Sequence, residues 1–140
     1  LTRRNYVKQM VSMRAAMGTR LWHDRGQATG RIIGRVRVPV EGEPGAIGLM
    51  ERLARIEEFY EMTRHTHAGD RFLELCYEDH IESDPREGYR RVVDFLTLEP
   101  YEPAVRLRRL STSTVRDRLE NVDEVAEALR GTRYEWMLEA

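Results

Sequence analysis

Lysine is almost missing from this 140-residue chain: Lys8 stands alone among 23 basic residues, and the other 22 are arginine. A phosphate-gripping turn of the Gly-rich Lys-Ser/Thr type needs its lysine between a strand and a helix. Lys8 falls inside a helical pattern, so this chain carries no such turn. The single cysteine, Cys76, excludes an internal disulfide framework and reads as a small core residue. No apolar run is long enough for a membrane span and no signal-peptide pattern is visible, which leaves cytoplasmic as the default location. A net charge of −1 gives no overall pull toward nucleic acid or membrane. His23, His65, His67 and His80 are scattered. His65 and His67, two residues apart, share no helical face, so no metal site is expected.

What is there suits one soluble, helix-rich domain over residues 1–140, with 41% hydrophobic and 34% charged residues. Asn5 is a good N-cap, and Val7, Met10 and Val11 recur at helical spacing, predicting a helix over 6–17 stopped by Gly18 or Gly26. Residues 31–40 alternate in part and predict a short strand that Pro39 ends or holds to an edge. Residues 41–45 form a turn, after which Leu49, Leu53, Ile56 and Tyr60 predict an amphipathic helix to about residue 65. Residues 71–77 are apolar enough for a strand buried on both faces. Asp84-Pro85-Arg86-Glu87 then opens a helix as a capping box, with Tyr89, Val92, Val93 and Leu96 on one face. Residues 99–120 are irregular, and Val122, Val125, Ala126 and Leu129 make a short helix stopped by Gly131. A strand, turn and helix in order argue for an α/β chain, mostly helical, with parallel strands flanked by helices. Ligands of such sheets bind beyond the carboxyl ends of strands, where Arg4 and Tyr77 would lie.

Arg4 and Ser12 are the main candidates for ligand contact. A strand ending near Thr2 and a helix starting near Tyr6 put the Arg4 guanidinium beside free backbone N–H groups. Ser12, two turns along, offers a hydroxyl to a second oxygen of the same phosphate. The same spacing also describes an ordinary helix start with a solvent-facing arginine. Tyr77, at a strand end, reads equally as a purine contact or as a core tyrosine with a satisfied hydroxyl. Glu78 and Asp79 fit capping or a salt bridge better than catalysis.

The stretch Leu-Thr-Arg-Arg-Asn-Tyr-Val-Lys-Gln-Met-Val-Ser-Met-Arg-Ala-Ala at 1–16 resembles the 3′-phosphate-binding segment of sulfotransferases that use 3′-phosphoadenosine 5′-phosphosulfate, PAPS. A second block, Phe72-Leu-Glu-Leu-Cys-Tyr-Glu-Asp-His with Ser83-Asp-Pro and Val92-Val-Asp-Phe-Leu, resembles that family's strand, Tyr-Glu-Asp turn and helix. The tail from Val115 is similar to the ends of bacterial members that modify carbohydrate or lipopolysaccharide. The resemblance implies a P-loop-NTPase-like sulfotransferase fold in which Arg4 and Ser12 hold the 3′-phosphate and Tyr77 lies against adenine. Arg116, with Arg108 and Arg109, would add positive charge near the phosphates, His23 would approach the acceptor, and Trp22 would stack on a sugar or serve the structure. The reaction implied is transfer of the sulfuryl group from PAPS to a hydroxyl of a carbohydrate or glycolipid, leaving adenosine 3′,5′-bisphosphate. The 5′-phosphosulfate loop and the catalytic base are not found in this chain, so it reads as the C-terminal part of such a domain, inactive by itself. The alternative is a noncatalytic helical binding module that keeps the 3′-phosphate half as scaffold. The arginine-rich run 106–118 lacks the interleaved aromatics of a nucleic-acid surface, so no nucleic-acid partner is expected.

Overall fold

A computed structural model describes residues 1–19, 34–42, 47–105 and 113–139. Their regular elements are α1 (Tyr6–Thr19), α2 (Leu49–Thr66), α3 (Tyr77–His80), α4 (Pro85–Leu96) and α5 (Val122–Leu129), with 3₁₀ turns at Arg116–Arg118 and Glu135–Leu138. The chain divides into two compact units, Leu1–Arg4 with Phe59–Arg106 and Asn5–Glu58 with Leu107–Ala140. No helix among the described residues is long and apolar enough to cross a membrane.

The second unit holds most of the buried apolar side chains. Val7, Met10 and Val11 of α1 meet the spacing expected of them, and Leu49 and Leu53 of α2 and Val125 and Leu129 of α5 join the same core. The buried Asn5 caps α1: its Oδ1 accepts the Lys8 N–H at 2.8 Å, and its Nδ2 donates to the Met137 carbonyl at 2.8 Å. Both ends of the amide are thereby satisfied, which is what makes its burial tolerable. Gly18 lies within α1 instead of ending it, and Gly26 falls outside the described residues. Gly131, at φ 69°, follows α5 as expected.

The expectation of an α/β fold with a parallel sheet is overturned. No strand occurs among the described residues, and neither a sheet nor a P-loop-like core is present there. What remains is two isolated parallel bridges, Thr2 with Cys76 and Val36 with Leu119. Each stops for a local reason. Beyond Val36, the N–H and carbonyl of Val38 go to the Asn121 side chain, at 3.0 and 2.8 Å, in place of a neighbouring backbone. Beyond Cys76, the Tyr77 N–H donates to the Thr2 carbonyl at 2.9 Å and the chain turns at once into α3. The run 71–77 is not buried on both faces either: Arg71 and Phe72 are exposed and Leu73 to Tyr77 half-buried. Residues 34–39 form no regular element beyond the one bridge at Val36, the chain bends at Val40, and 31–33 lie outside the described residues.

The first unit has little apolar core. Val93 is its buried hydrophobic side chain, while Phe59, Met62, Leu98 and Tyr101 are each more than half exposed. Polar and cation–aromatic contacts do more of the joining. Arg64 grips Glu74 through two hydrogen bonds of 2.8 Å, and the Arg71 guanidinium lies 4.8 Å from the Phe95 ring centroid while donating to the Phe95 carbonyl. Asp84 caps α4 by accepting the Arg86 N–H at 3.0 Å, with Pro85 at the first helical position. The capping box is only half made, since Glu87 pairs with Arg91 at 3.1 Å. Leu96 departs from its predicted face and is exposed, because α4 ends there: Thr97 takes a left-handed conformation, φ 57°, and donates its N–H to Asp94 at 3.1 Å.

Candidate functional site

The candidate site lies in the first unit, where the Thr2–Cys76 bridge sets two short segments side by side. Thr2 donates its N–H to the Leu75 carbonyl at 2.7 Å and accepts that of Tyr77, so the two segments run in parallel. Parallel pairing carries Arg3 and Arg4 to the same end as Tyr77, Glu78 and Asp79. Side chains of successive extended residues diverge, and the two arginines accordingly take different partners. The Arg3 guanidinium carbon lies 3.9 Å from the Tyr77 ring centroid. Arg4 donates from Nη2 to Asp79 Oδ1 at 2.5 Å, and its peptide N–H donates to Glu78 Oε2 at 3.0 Å.

The rest of the turn is held by backbone bonds from His80 to Cys76 and from Ile81 to Tyr77, each 3.0 Å, and by the His80 side chain. The His80 Nδ1 lies 2.9 Å from the Cys76 nitrogen and 3.0 Å from the Cys76 carbonyl oxygen, closing the single turn of α3. The half-buried Cys76 thiol donates to Glu78 Oε2 at 3.3 Å, and burial first, then the Glu78 carboxylate, push its pKa up. A raised pKa keeps this sulfur a thiol and argues against a nucleophile. Gly88 of α4 sits against the end of α3: a Cβ there would meet the Ile81 Cδ1 and lie 3.0 Å from the His80 carbonyl oxygen. Glycine therefore lets α4 support the turn that carries Tyr77 to Asp79.

Of the four residues expected to bind nucleotide, Arg4 and Tyr77 belong to this unit and flank the same bridge. Ser12 and Arg116 belong to the second unit. Ser12 is half-buried on α1. Arg116 is exposed in a 3₁₀ turn and pairs with Glu139, with bonds of 3.1 Å from Nε and 2.5 Å from Nη2. Trp22, His23, Arg108 and Arg109 lie outside the described residues. The sequence reading missed Arg118, which neighbours Arg116 and whose Nε and Nη2 are buried without a hydrogen-bond partner. Burial pulls its pKa down. Only its place after the buried Val115 and before the buried Leu119 hints at this in the sequence.

Chemically, this end of the bridge carries two guanidinium groups, Arg3 stacked on Tyr77 and Arg4 paired with Asp79, and the carboxylates around them are committed to hydrogen bonds. A guanidinium of this kind can donate to an anion through a planar fork. Among the described residues no group of three His, Cys, Asp or Glu side chains could hold a metal ion. No family model matches the chain, and neither a curated protein nor a solved structure does.

Proposed function

We propose that this chain contributes the 3′-phosphate and adenine contacts of a PAPS-dependent sulfotransferase acting on a hydroxyl of a carbohydrate or glycolipid. The observation that carries the reading is the parallel pairing of Thr2 with Cys76. It joins the start of the first resembling block, at Thr2, to the second, at Cys76, so that Arg3 and Arg4 leave the bridge in the same direction as Tyr77. Arg4 would hold the 3′-phosphate: its Nε and Nη1 have no partner among the described residues and remain available as donors. Tyr77 would face the adenine, and the resemblance assigns a hydroxyl contact to Ser12 and a positive charge to Arg116. PAPS supplies the activated sulfuryl group when bound.

The test is sulfuryl transfer by the full-length protein, with PAPS labelled in the sulfuryl group and a panel of sugars and glycolipids as acceptors. Labelled acceptor that disappears when Arg4 is replaced by alanine supports the reading. Absence of transfer together with absence of PAPS binding defeats it.

A further inference from the structure

Arg4 is the cation that this reading assigns to the 3′-phosphate, yet it is bonded to a carboxylate of its own chain. The contact between Arg4 Nη2 and Asp79 Oδ1 is 2.5 Å, and both side chains are open to solvent, at 61% and 45% relative exposure. Glu78 Oε2 receives the Arg4 peptide N–H at 3.0 Å. Arg3, Arg4, Glu78 and Asp79 carry two positive and two negative charges, so their sum around the end of the bridge is zero. An incoming phosphate meets a neutralised guanidinium and two carboxylates that repel it.

The two carboxylates are not equivalent. Glu78 is tied into the turn through the Arg4 peptide and the Cys76 thiol. The Asp79 carboxylate has the Arg4 guanidinium as its hydrogen-bond partner among the described residues.

We propose that Asp79 is an internal competitor for the anion bound by Arg4, lowering affinity for 3′-phosphorylated nucleotide and leaving the rest of the nucleotide's contacts untouched. The proposal rests on the assignment of Arg4 to the 3′-phosphate. Its physical content is a displacement: the phosphate takes the guanidinium, and Asp79 turns to water. A solvent-exposed pair is weak, so the competition is small and readily reversed, in the range of about 1.4- to 5-fold in affinity. It makes Asp79 a specificity-determining residue that acts through Arg4.

Calorimetric titration of the full-length protein with adenosine 3′,5′-bisphosphate and with adenosine 5′-phosphate tests it, using wild type, Asp79→Asn and Asp79→Glu. Asp79→Asn, which keeps shape and removes charge, is expected to bind the bisphosphate about 1.4- to 5-fold more tightly. Its affinity for the 5′-phosphate is expected to stay unchanged, and Asp79→Glu is expected to behave as wild type. Unchanged or weaker binding of the bisphosphate by Asp79→Asn, with an unfolding midpoint like that of wild type, overturns the proposal, and weaker binding makes Asp79 a support for Arg4 instead. A wild-type protein that shows no preference for the bisphosphate removes the assignment of Arg4, and the competitor with it.

Discussion

The Arg3 guanidinium rests on the Tyr77 ring, 3.9 Å from its centroid, so the ring already packs against a flat cation. The ring, more than its hydroxyl, is what this contact uses. Tyr77→Phe is therefore expected to keep most of the affinity for adenine nucleotide in the full-length protein. Tyr77→Ala is expected to lose about 1–3 kcal/mol, the range for aromatic–base stacking. Calorimetry on both variants checks this, and a Phe variant as weak as the Ala variant transfers the role to the hydroxyl.

Gly88 sets how close α4 comes to the turn bearing Tyr77. A methyl group there meets the Ile81 Cδ1 and lies 3.0 Å from the His80 carbonyl oxygen. Gly88→Ala should lower stability by about 1–3 kcal/mol through overpacking. Removing the Cδ1 with Ile81→Val should return part of that loss in the double variant. Chemical unfolding of the four proteins reads the coupling, and additive effects would mean that the clash is not the cause.

Asn121 replaces a second rung of backbone pairing. Its side chain serves the Val38 N–H at 3.0 Å and the Val38 carbonyl at 2.8 Å in a buried position. Asn121→Ala leaves both without a partner and should cost about 1–3 kcal/mol for each group left unsatisfied. Asn121→Asp keeps the acceptor but sets a buried carboxylate against the Val38 carbonyl and the Glu124 carboxylate, which the amide now serves at 2.8 and 3.1 Å, so it should be destabilised as well in an unfolding titration. Equal stability of wild type and the Ala variant would contradict the arrangement.

The two hydrogen bonds from Arg64 hold the Glu74 carboxyl below its ordinary value of 4.5, against a smaller opposing effect of burial. A carboxyl whose folded pKa is depressed stabilises the fold above its unfolded value and loses that contribution as pH falls through the folded one. Unfolding midpoints measured between about pH 6 and pH 3 should fall less steeply in Arg64→Met than in wild type. Parallel profiles would remove Glu74 from the acid response.

The helical part of the fold was legible because burial repeats at helical spacing: Val7, Met10 and Val11, Leu49 and Leu53, and Val125 and Leu129 sit where periodicity puts them. The Asn5 and Asp84 caps were legible because a short polar side chain before an apolar run has a specific use. The strand expected at 71–77 was not a strand, since an apolar run records burial and says nothing of whether neighbouring backbones continue alongside it. Asn121 illustrates the same limit, as a side chain took the place of a ladder. In the candidate site, capping or a salt bridge was the expected use of Glu78 and Asp79, and Asp79 makes a salt bridge to Arg4. That pairing was not legible: Arg4 and Asp79 are 75 positions apart, and nothing local distinguishes Arg3, which meets the ring, from Arg4, which meets the acid.

The central claim is that Arg4 reads a 3′-phosphate, with the hydroxyl contact that the resemblance assigns to Ser12 tested beside it. Calorimetric titration of the full-length wild type, Arg4→Ala and Ser12→Ala with adenosine 3′,5′-bisphosphate and adenosine 5′-phosphate tests it most directly. The account predicts that wild type prefers the bisphosphate, that Arg4→Ala loses about 1.5–3 kcal/mol and Ser12→Ala about 0.5–1.5 kcal/mol of its binding, and that the 5′-phosphate is little affected. Equal losses for the two nucleotides, or none for either, would contradict it.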